Sequence, residues 1–338
     1  MSFLDMRAEL AQAIPGMSRI YAGTLINRAW GVVRDSNLWS FQLKDGSFAT
    51  PAIVTAGTVT TPALPIVPTI IGDAAATAAW NAILFPPITQ YQFRVGNYSI
   101  YNIIAYDTTT NPPFGTLTLD RPYVDPHPSG LSGQAYQMFQ VYYPAPSATF
   151  KRYLSVVDLV DCYALGIWTS RRDINWADPA RFIVTNPVVI FGKGQDTRPN
   201  SATLGWQVYE MWPVPTSIIS YATYYVDRMP DLVNNSDTLP SPITQDVVLT
   251  KARVYAYEWA EARKDVMAAR GSGANYSVLW KDAEAAFQAR LKTLRLIDRD
   301  NVNAFMSRMQ QSVANFAISA WYNASIARAG MGWPVGLY

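Results

Sequence analysis

The segment Tyr209–Glu261 limits the fold most, because its residues predict a definite order of elements. The run YEMWPVPTS, from Tyr209 to Ser217, contains a Trp-Pro turn and leads into an aromatic strand over residues 218–228. Prolines then mark a polar linker, since proline lacks a backbone donor and interrupts helices and sheets. A helix follows from about Thr244, and it carries the aromatic residues Tyr255, Tyr257 and Trp259.

Helical patterns occupy both ends of the chain. Ser2 is suited to cap a short first helix, and a second helix is predicted from Ser18 to about Arg34. Near the C-terminus, the helix from Thr244 ends at a Gly-containing loop, and Ser277 begins another helix. Residues 41–242 between these ends read as short strands and turns. Among them, Gly96-Asn97 predicts a hairpin.

These patterns predict an α+β chain. The N-terminal and C-terminal helices form a helical bundle, with a large inserted β-rich region and an extended C-terminal arm. We assign residues 1–38 and 243–300 to the bundle and residues 39–242 to the inserted domain. Residues 301–338 form the arm, whose apolar end we expect to dock on a partner.

The composition favours a subunit of a larger assembly over an unusually neutral monomer. Only 15% of the 338 residues are charged, against roughly 25% in a typical protein. Aromatic side chains and proline replace much of that charge, which suits contacts between proteins. With one cysteine and one histidine, the chain offers neither an internal disulfide nor a Cys/His metal cluster. Prolines exclude a membrane-spanning helix from the charge-poor stretch 46–93.

The order of these segments resembles that of the head-to-tail adaptor proteins of tailed bacteriophages, also called neck, connector or tail tubular A-type proteins. Tyr209–Glu261 carries the strongest match. The helix from Tyr21 to Asp35, followed by NLWSF at Asn37–Phe41, is similar to the opening helix of the family, which commonly ends in a Trp-containing turn. Three further segments are similar to strands of larger members: Gly115–Tyr123, Tyr136–Tyr143 and Pro146–Asp158.

The resemblance implies a structural virion protein without enzyme activity, cofactor or metal. Such a protein forms a ring, usually twelve-fold, in the virion neck between the capsid portal and the tail. DNA passes through its channel without being read, and no membrane is involved. The implied partners are other copies of the chain, the portal protein and a downstream tail or nozzle protein. The expected contacts with the portal or a neighbouring subunit are made by Trp321, Tyr322, Trp333, Leu337 and Tyr338.

Two other functions remain open. A glycan-binding or glycan-degrading tail component is the main alternative, because the Trp- and Tyr-rich β region offers aromatic faces to sugars. Against it, no Asp/Glu pair stands out in the strands. A DNA-binding module would use the basic C-terminal third. In a channel, Arg152, Arg171 and Arg172 could contact DNA phosphates, but a DNA conduit should bind DNA only weakly.

Several residues with reactive side chains have a structural interpretation. His127 lies in a loop without Ser or Cys partners, and Cys162 is expected to be a small buried hydrophobe. Gly192-Lys193-Gly194 lacks the spacing of a phosphate loop. Glu258 and Glu261 are expected in a charge network rather than as an acid–base pair. Helical aromatics are expected in the core rather than as stacking platforms for bases: Trp30, Tyr255, Trp259, Trp280 and Phe287.

Overall fold

The structure is a computed structural model, and it divides into two compact units. The first unit comprises Met1–Lys44 and Val226–Gln310, and the second comprises Asp45–Tyr225 and the residues after Gln310. The residues described are 2–62, 67–83, 86–96, 98–111, 114–124, 132–168, 172–179, 181–198, 201–269 and 275–331.

Helices lie at both ends of the described chain, and the strands lie between them together with two short helices. The helices are α1 (Phe3–Ala13), α2 (Arg19–Asp35), α3 (Ala74–Asn81), α4 (Arg172–Ala177), α5 (Gln245–Glu261), α6 (Lys264–Ala269) and α7 (Tyr276–Met331). The strands are β1 (Leu43–Ala49), β2 (Val59–Thr60), β3 (Thr69–Gly72), β4 (Gln92–Val95), β5 (Tyr101–Asn111), β6 (Phe114–Leu119), β7 (Tyr136–Phe139), β8 (Tyr142–Pro144), β9 (Phe150–Asp158), β10 (Gly166–Trp168), β11 (Val189–Gln195), β12 (Gln207–Trp212) and β13 (Ser220–Asp227).

The first unit is built on the helices α1, α2, α5 and α7. The predicted starts of the first two are confirmed: Ser2 and Asp5 form a reciprocal capping box at α1, and the Ser18 hydroxyl accepts from the Tyr21 N–H at α2. Apolar side chains on the facing sides of these helices form one core. Its central members include Met6, Leu10, Ile26, Trp30, Val248, Ala252, Phe287 and Leu291.

The strands form three sheets among the described residues. One has the order β1-β13-β9, a second β10-β11-β12-β8, and a third β2-β3-β6-β5-β4-β7. In the third sheet, β4 and β5 pair antiparallel on either side of Gly96, whose φ is 52°, so the predicted hairpin is confirmed. In the second sheet, β10 and β11 are parallel, and α4 lies in the connection between them.

Aromatic side chains join the first two sheets into one core. The ring of Phe48 on β1 lies 5.5 Å from that of Tyr143 on β8, and Tyr153 on β9 lies 4.8 Å from Tyr209 on β12. Burial raises the pKa of Tyr209 to about 12, so this phenol is neutral at physiological pH.

A short helix covers the six-stranded sheet. Asp73 caps α3 by accepting from the Ala76 N–H at 2.7 Å, and the Ala-rich sequence favours a helix there. Trp80 on α3 is buried, and its indole N–H donates to the Tyr136 hydroxyl at 2.9 Å. The Pro/Ala-rich stretch 62–87 therefore contributes a strand and a helix to this core.

The predicted fold class is wrong. The chain is a mixed α/β protein, mostly β-rich, with thirteen strands in three sheets among the described residues. The helices α3 and α4 lie within the region predicted to contain only strands and turns. Residues 276–331 form one long helix where a helix and a separate arm were expected. The physical reason for this last difference is that the segment contains no proline, and its first glycine is Gly330.

Candidate functional site

Within the first unit, residues 229–240, here called the linker segment, are fixed along α2 by side chains of that helix. The Asn27 amide donates to the Leu232 carbonyl and accepts from the Leu232 N–H, both at 2.9 Å. The Trp30 indole N–H donates to the Pro230 carbonyl at 3.0 Å. Arg34 donates to the Met229 carbonyl at 2.8 Å and forms an ion pair with Asp231 at 2.9 Å. The Pro-rich connection seen in the sequence is thus an ordered part of the unit.

The linker segment also provides acceptors for the start of α1. The Phe3 N–H donates to the Asp237 carbonyl at 2.9 Å, and the Leu4 N–H donates to the Asn235 carbonyl at 3.1 Å. These are among the N–H groups that a helix leaves without partners in its first turn. The Asp237 carboxylate accepts from the Val233 and Asn234 N–H groups, and these bonds hold the pKa of Asp237 below its usual value.

A cleft of about 370 Å³ lies between α2 and the linker segment, and we call it the Trp30 cleft. Its apolar lining comes from Trp30, Met229, Pro230, Leu232, Val233 and Pro240. Its polar lining comes from Asp231, Asn234, Asp237 and Thr238.

The first half of α7 is anchored to the first unit by polar contacts. The Asp298 carboxylate, on a residue with 0% exposure, accepts from the Ser40 N–H at 2.7 Å and from the Ser40 hydroxyl. Arg295 donates to the Ser36 carbonyl at 2.9 Å. Further along the same face, Lys251 and Glu284 form an ion pair at 2.7 Å between α5 and α7.

The helix α7 buries apolar side chains on one face and exposes two pairs of apolar side chains outside that face. Phe287, Leu291 and Leu294 are buried in the core of the first unit. Val278 and Leu296 are 18 residues apart, about five full turns, so they share one direction, and Phe287 lies about 180° from it. Leu296 is 53% exposed and Ile297 is 56% exposed. We call the side bearing Val278, Leu279, Leu296 and Ile297 the outer face of α7.

The five residues predicted to contact partners lie at the end of the chain. Trp321 and Tyr322 belong to α7, although the structure describes only the backbone of this part of the helix. Trp333, Leu337 and Tyr338 lie outside the described residues. Their contacts with a portal or a neighbour therefore stay a prediction.

The prediction for the helical aromatics is confirmed for Trp30 and Phe287, which are each 1% exposed. Tyr255 and Trp259 are partly buried and pack against the same core, where Arg28 lies over the Tyr255 ring at 4.1 Å. Trp280 is half-buried, and its indole N–H donates to Glu258 at 2.7 Å. Glu258 therefore accepts a hydrogen bond from an indole N–H.

A buried polar cluster in the second unit was not foreseen from the sequence. Arg181 forms an ion pair with Glu210 on β12, a residue with 0% exposure. The Asp178 carboxylate accepts from the Phe182 N–H at 2.7 Å and from the Trp212 indole N–H at 2.9 Å. Both carboxylates thus accept hydrogen bonds from other groups of the protein and do not face an open site. In the sequence, the only sign of this cluster is Glu210, a charged residue among the apolar and aromatic residues of the strand motif YEMW.

Arg94 extends this cluster. Its guanidinium donates to the Arg181 carbonyl at 3.0 Å and to the Gln137 side chain at 2.7 Å. Burial lowers the pKa of Arg94, and the negative charge of Asp178 opposes that shift. The cluster is built to connect β4, β7 and the segment around residue 181, which is a structural role.

The remaining single-residue predictions have mixed outcomes. Cys162 was expected to be a buried hydrophobe in a strand, and this is wrong: it is half-buried in the turn after β9, with φ of 59°. Gly192-Lys193-Gly194 forms a bulge in β11, and the Lys193 ammonium lies over the Tyr142 ring at 3.1 Å. Arg152 is exposed on β9 and Arg172 begins α4. His127 and Arg171 lie outside the described residues.

No cluster of three or more His, Cys, Asp or Glu side chains suited to a metal ion occurs among the residues whose positions are described. Over the same part of the chain, no helix is both long and apolar enough to cross a membrane. Compared with known proteins, the sequence matches no family model, and no curated protein is similar to it.

Proposed function

We propose that this chain is a structural virion protein, a head-to-tail adaptor that forms a ring between the capsid portal and the tail of a bacteriophage. The observation that carries the proposal is the outer face of α7. One side of this helix is buried by its own chain, while the pairs Val278/Leu279 and Leu296/Ile297, about 27 Å apart along the helix axis, are exposed to solvent. Two apolar pairs exposed on the same helix suit contact with a second partner.

The kind of assembly follows from the sequence resemblance. The order of the Trp-containing turn near residue 39, the YEMWPVPTS strand pair and the aromatic helix α5 is that of the adaptor proteins. In this proposal, the outer face of α7 packs against a neighbouring copy, and repetition of that contact closes a ring. The C-terminal residues after α7 contact the portal or a neighbour. The channel conducts DNA without a tight basic site, since strong binding to phosphates would slow its passage.

The glycan alternative receives no specific support. The buried carboxylates among the described residues of the β region all accept hydrogen bonds from the protein itself: Asp158, Asp178, Asp196 and Glu210. A pair acting on a glycosidic bond requires access to the sugar from both sides.

The test is the assembly state of the purified protein, alone and mixed with the portal protein of the same phage. We expect closed rings with a central hole in negative-stain images, either from the protein alone or after the portal is added. Light scattering coupled to gel filtration gives the mass of the same sample. Monomers in both samples, with no complex between the chain and the portal, would contradict the proposal.

A further inference from the structure

One side of α7 carries a row of four exposed cations. Lys281 and Lys292 lie 18 and 7 residues before Arg299, and these separations correspond to about five and two full turns of an α-helix. Arg295, four residues before Arg299, is turned from it by about 40°. All four side chains are exposed. The row spans about 27 Å along the helix axis, and it lies between the buried side of α7 and its outer face.

Two further cations lie beside this row, on α5 and α2. Lys251 forms an ion pair at 2.7 Å with Glu284, which lies between the first and second cations of the row. The Lys251 ammonium is 5.0 Å from the centre of the Tyr255 ring, and the Arg28 guanidinium lies over the same ring at 4.1 Å. We call the surface formed by these six cations the basic surface: Arg28, Lys251, Lys281, Lys292, Arg295 and Arg299.

The carboxylates near the basic surface do not neutralise it. Asp298 and Glu284 are already engaged by donors of the first unit, and Asp35 on α2 is paired within that helix at 3.5 Å. Asp282 and Asp300 leave α7 about 100° away from the row. Asp300 contacts its neighbour in the row at 3.6 Å, but both side chains are exposed, and such a pair contributes little. The surface therefore keeps an excess of positive charge.

The arrangement of the charges favours duplex DNA as the partner. A row of about 27 Å corresponds to about eight base pairs at 3.4 Å per pair. Lysine and arginine side chains contact phosphates, and such contacts carry no sequence information. Single strands, in contrast, are held by bases that stack on aromatic rings. The Tyr255 ring already has Arg28 and Lys251 over it, so it is not free to stack on an unpaired base.

We propose that the basic surface contacts the phosphates of duplex DNA, weakly and without reading its sequence. The inference rests on the proposed function and deepens it, because it assigns the side of α7 that faces the DNA channel. The outer face of the same helix is left for the neighbouring copy. A row of only four cations makes few phosphate contacts, which suits DNA that has to move past it.

The dependence of DNA binding on salt tests the inference. A labelled duplex is titrated with the full-length protein, and binding is followed by fluorescence anisotropy. With one phosphate contact for each cation of the row, the association constant of each subunit should fall about 150-fold between 50 mM and 200 mM salt. Two duplexes of unrelated sequence should bind equally well. An absence of duplex binding at 50 mM salt would overturn the inference.

A charge-removing variant tests whether the row is responsible. Lys281→Gln/Lys292→Gln/Arg299→Gln leaves one of the four contacts, so its association constant should fall only about fourfold over the same salt range. The matched control is Arg19→Gln/Lys151→Gln/Lys193→Gln, which removes the same charge at exposed positions outside the basic surface. The control should behave as the native protein does. Equal changes in the two variants would overturn the inference.

Two other ligands separate this inference from its rivals. Tighter binding to a single strand of the same length, or binding to vesicles of anionic lipid without binding to the duplex, would overturn it. The assembly assay is read separately from the DNA assay. Imaged rings from a protein that does not bind duplex DNA would leave the adaptor function standing alone. Duplex binding through the row by a protein that forms no ring would do the reverse.

Discussion

Asp298 and Ser40 stand 258 positions apart in the sequence and form a partly buried contact. The Ser40 N–H donates to the Asp298 carboxylate at 2.7 Å, and the Ser40 hydroxyl donates to its other oxygen. Ser40 belongs to the Trp-containing turn after α2, and Asp298 lies on α7. The contact therefore fixes the position of α7 along its axis relative to the end of α2. It thereby also fixes the position of the outer face of α7.

Replacing Asp298 by alanine should destabilise the protein. The substitution leaves two partly buried donors of Ser40 without their acceptor, and because water reaches part of this site the cost is about 1 kcal/mol per group. We expect a lower urea midpoint in full-length protein, measured by tryptophan fluorescence. Asp300→Ala is the control, because the Asp300 side chain is 83% exposed, and it should change stability by less than about 0.5 kcal/mol. Equal effects of the two substitutions would show that the Ser40 contact contributes nothing.

Asn27→Ala should loosen the linker segment. The side chain makes both a donor and an acceptor contact with Leu232, so its loss removes two hydrogen bonds at once. We expect a loss of about 2 kcal/mol in the free energy of unfolding and faster proteolysis between residues 229 and 240. Thr24→Ala on the same helix is the control, since its hydroxyl bonds only to its own helix at 3.5 Å. Unchanged proteolysis in Asn27→Ala would contradict the assigned role of Asn27.

These contacts show where the sequence was informative. The caps at Ser2 and Ser18 and the hairpin at Gly96 depend on neighbouring residues, and local patterns predicted them. The pairs Asp298–Ser40 and Arg181–Glu210 join distant residues, and no periodicity signals which polar groups will meet. The end of α7 was misplaced because a polar, Asn- and Gln-containing stretch after residue 300 was taken as an arm, although nothing in it breaks a helix. The helices α3 and α4 were missed because short helices leave little periodic signal.

Glu210→Ala should be strongly destabilising because it leaves Arg181 charged and buried without its partner. The expected loss is about 3–5 kcal/mol, measured by urea unfolding. The double substitution Arg181→Met with Glu210→Leu should recover most of this loss, since an apolar pair needs no ionic partner. If the double variant were as unstable as Glu210→Ala, the ion pair would not be the cause. Glu258→Ala, at an exposed site, should cost far less.

Stability at acid pH should depend on Asp73. Hydrogen bonds from the Ala76 N–H and the Thr58 hydroxyl hold the pKa of Asp73 below its ordinary value of 3.8. The carboxylate therefore contributes stability at pH values above 3.8, and this contribution is lost as the pH falls through the lowered folded-state pKa. The Tm of Asp73→Asn should lie below that of the native protein at neutral pH, and the difference should shrink on acidification. A difference that is constant with pH would contradict this, and Asp45→Asn, at an exposed position, is the control.

The central claim is that the outer face of α7 is an interface between copies of the chain. Its most direct test is the mass of the native protein and of the Leu296→Asp/Ile297→Asp variant by light scattering, each with the portal protein present. We expect a ring-sized complex from the native chain and monomers, with an unchanged Tm, from the variant, because both side chains are exposed in the single chain. A variant that assembles as well as the native protein would contradict the claim.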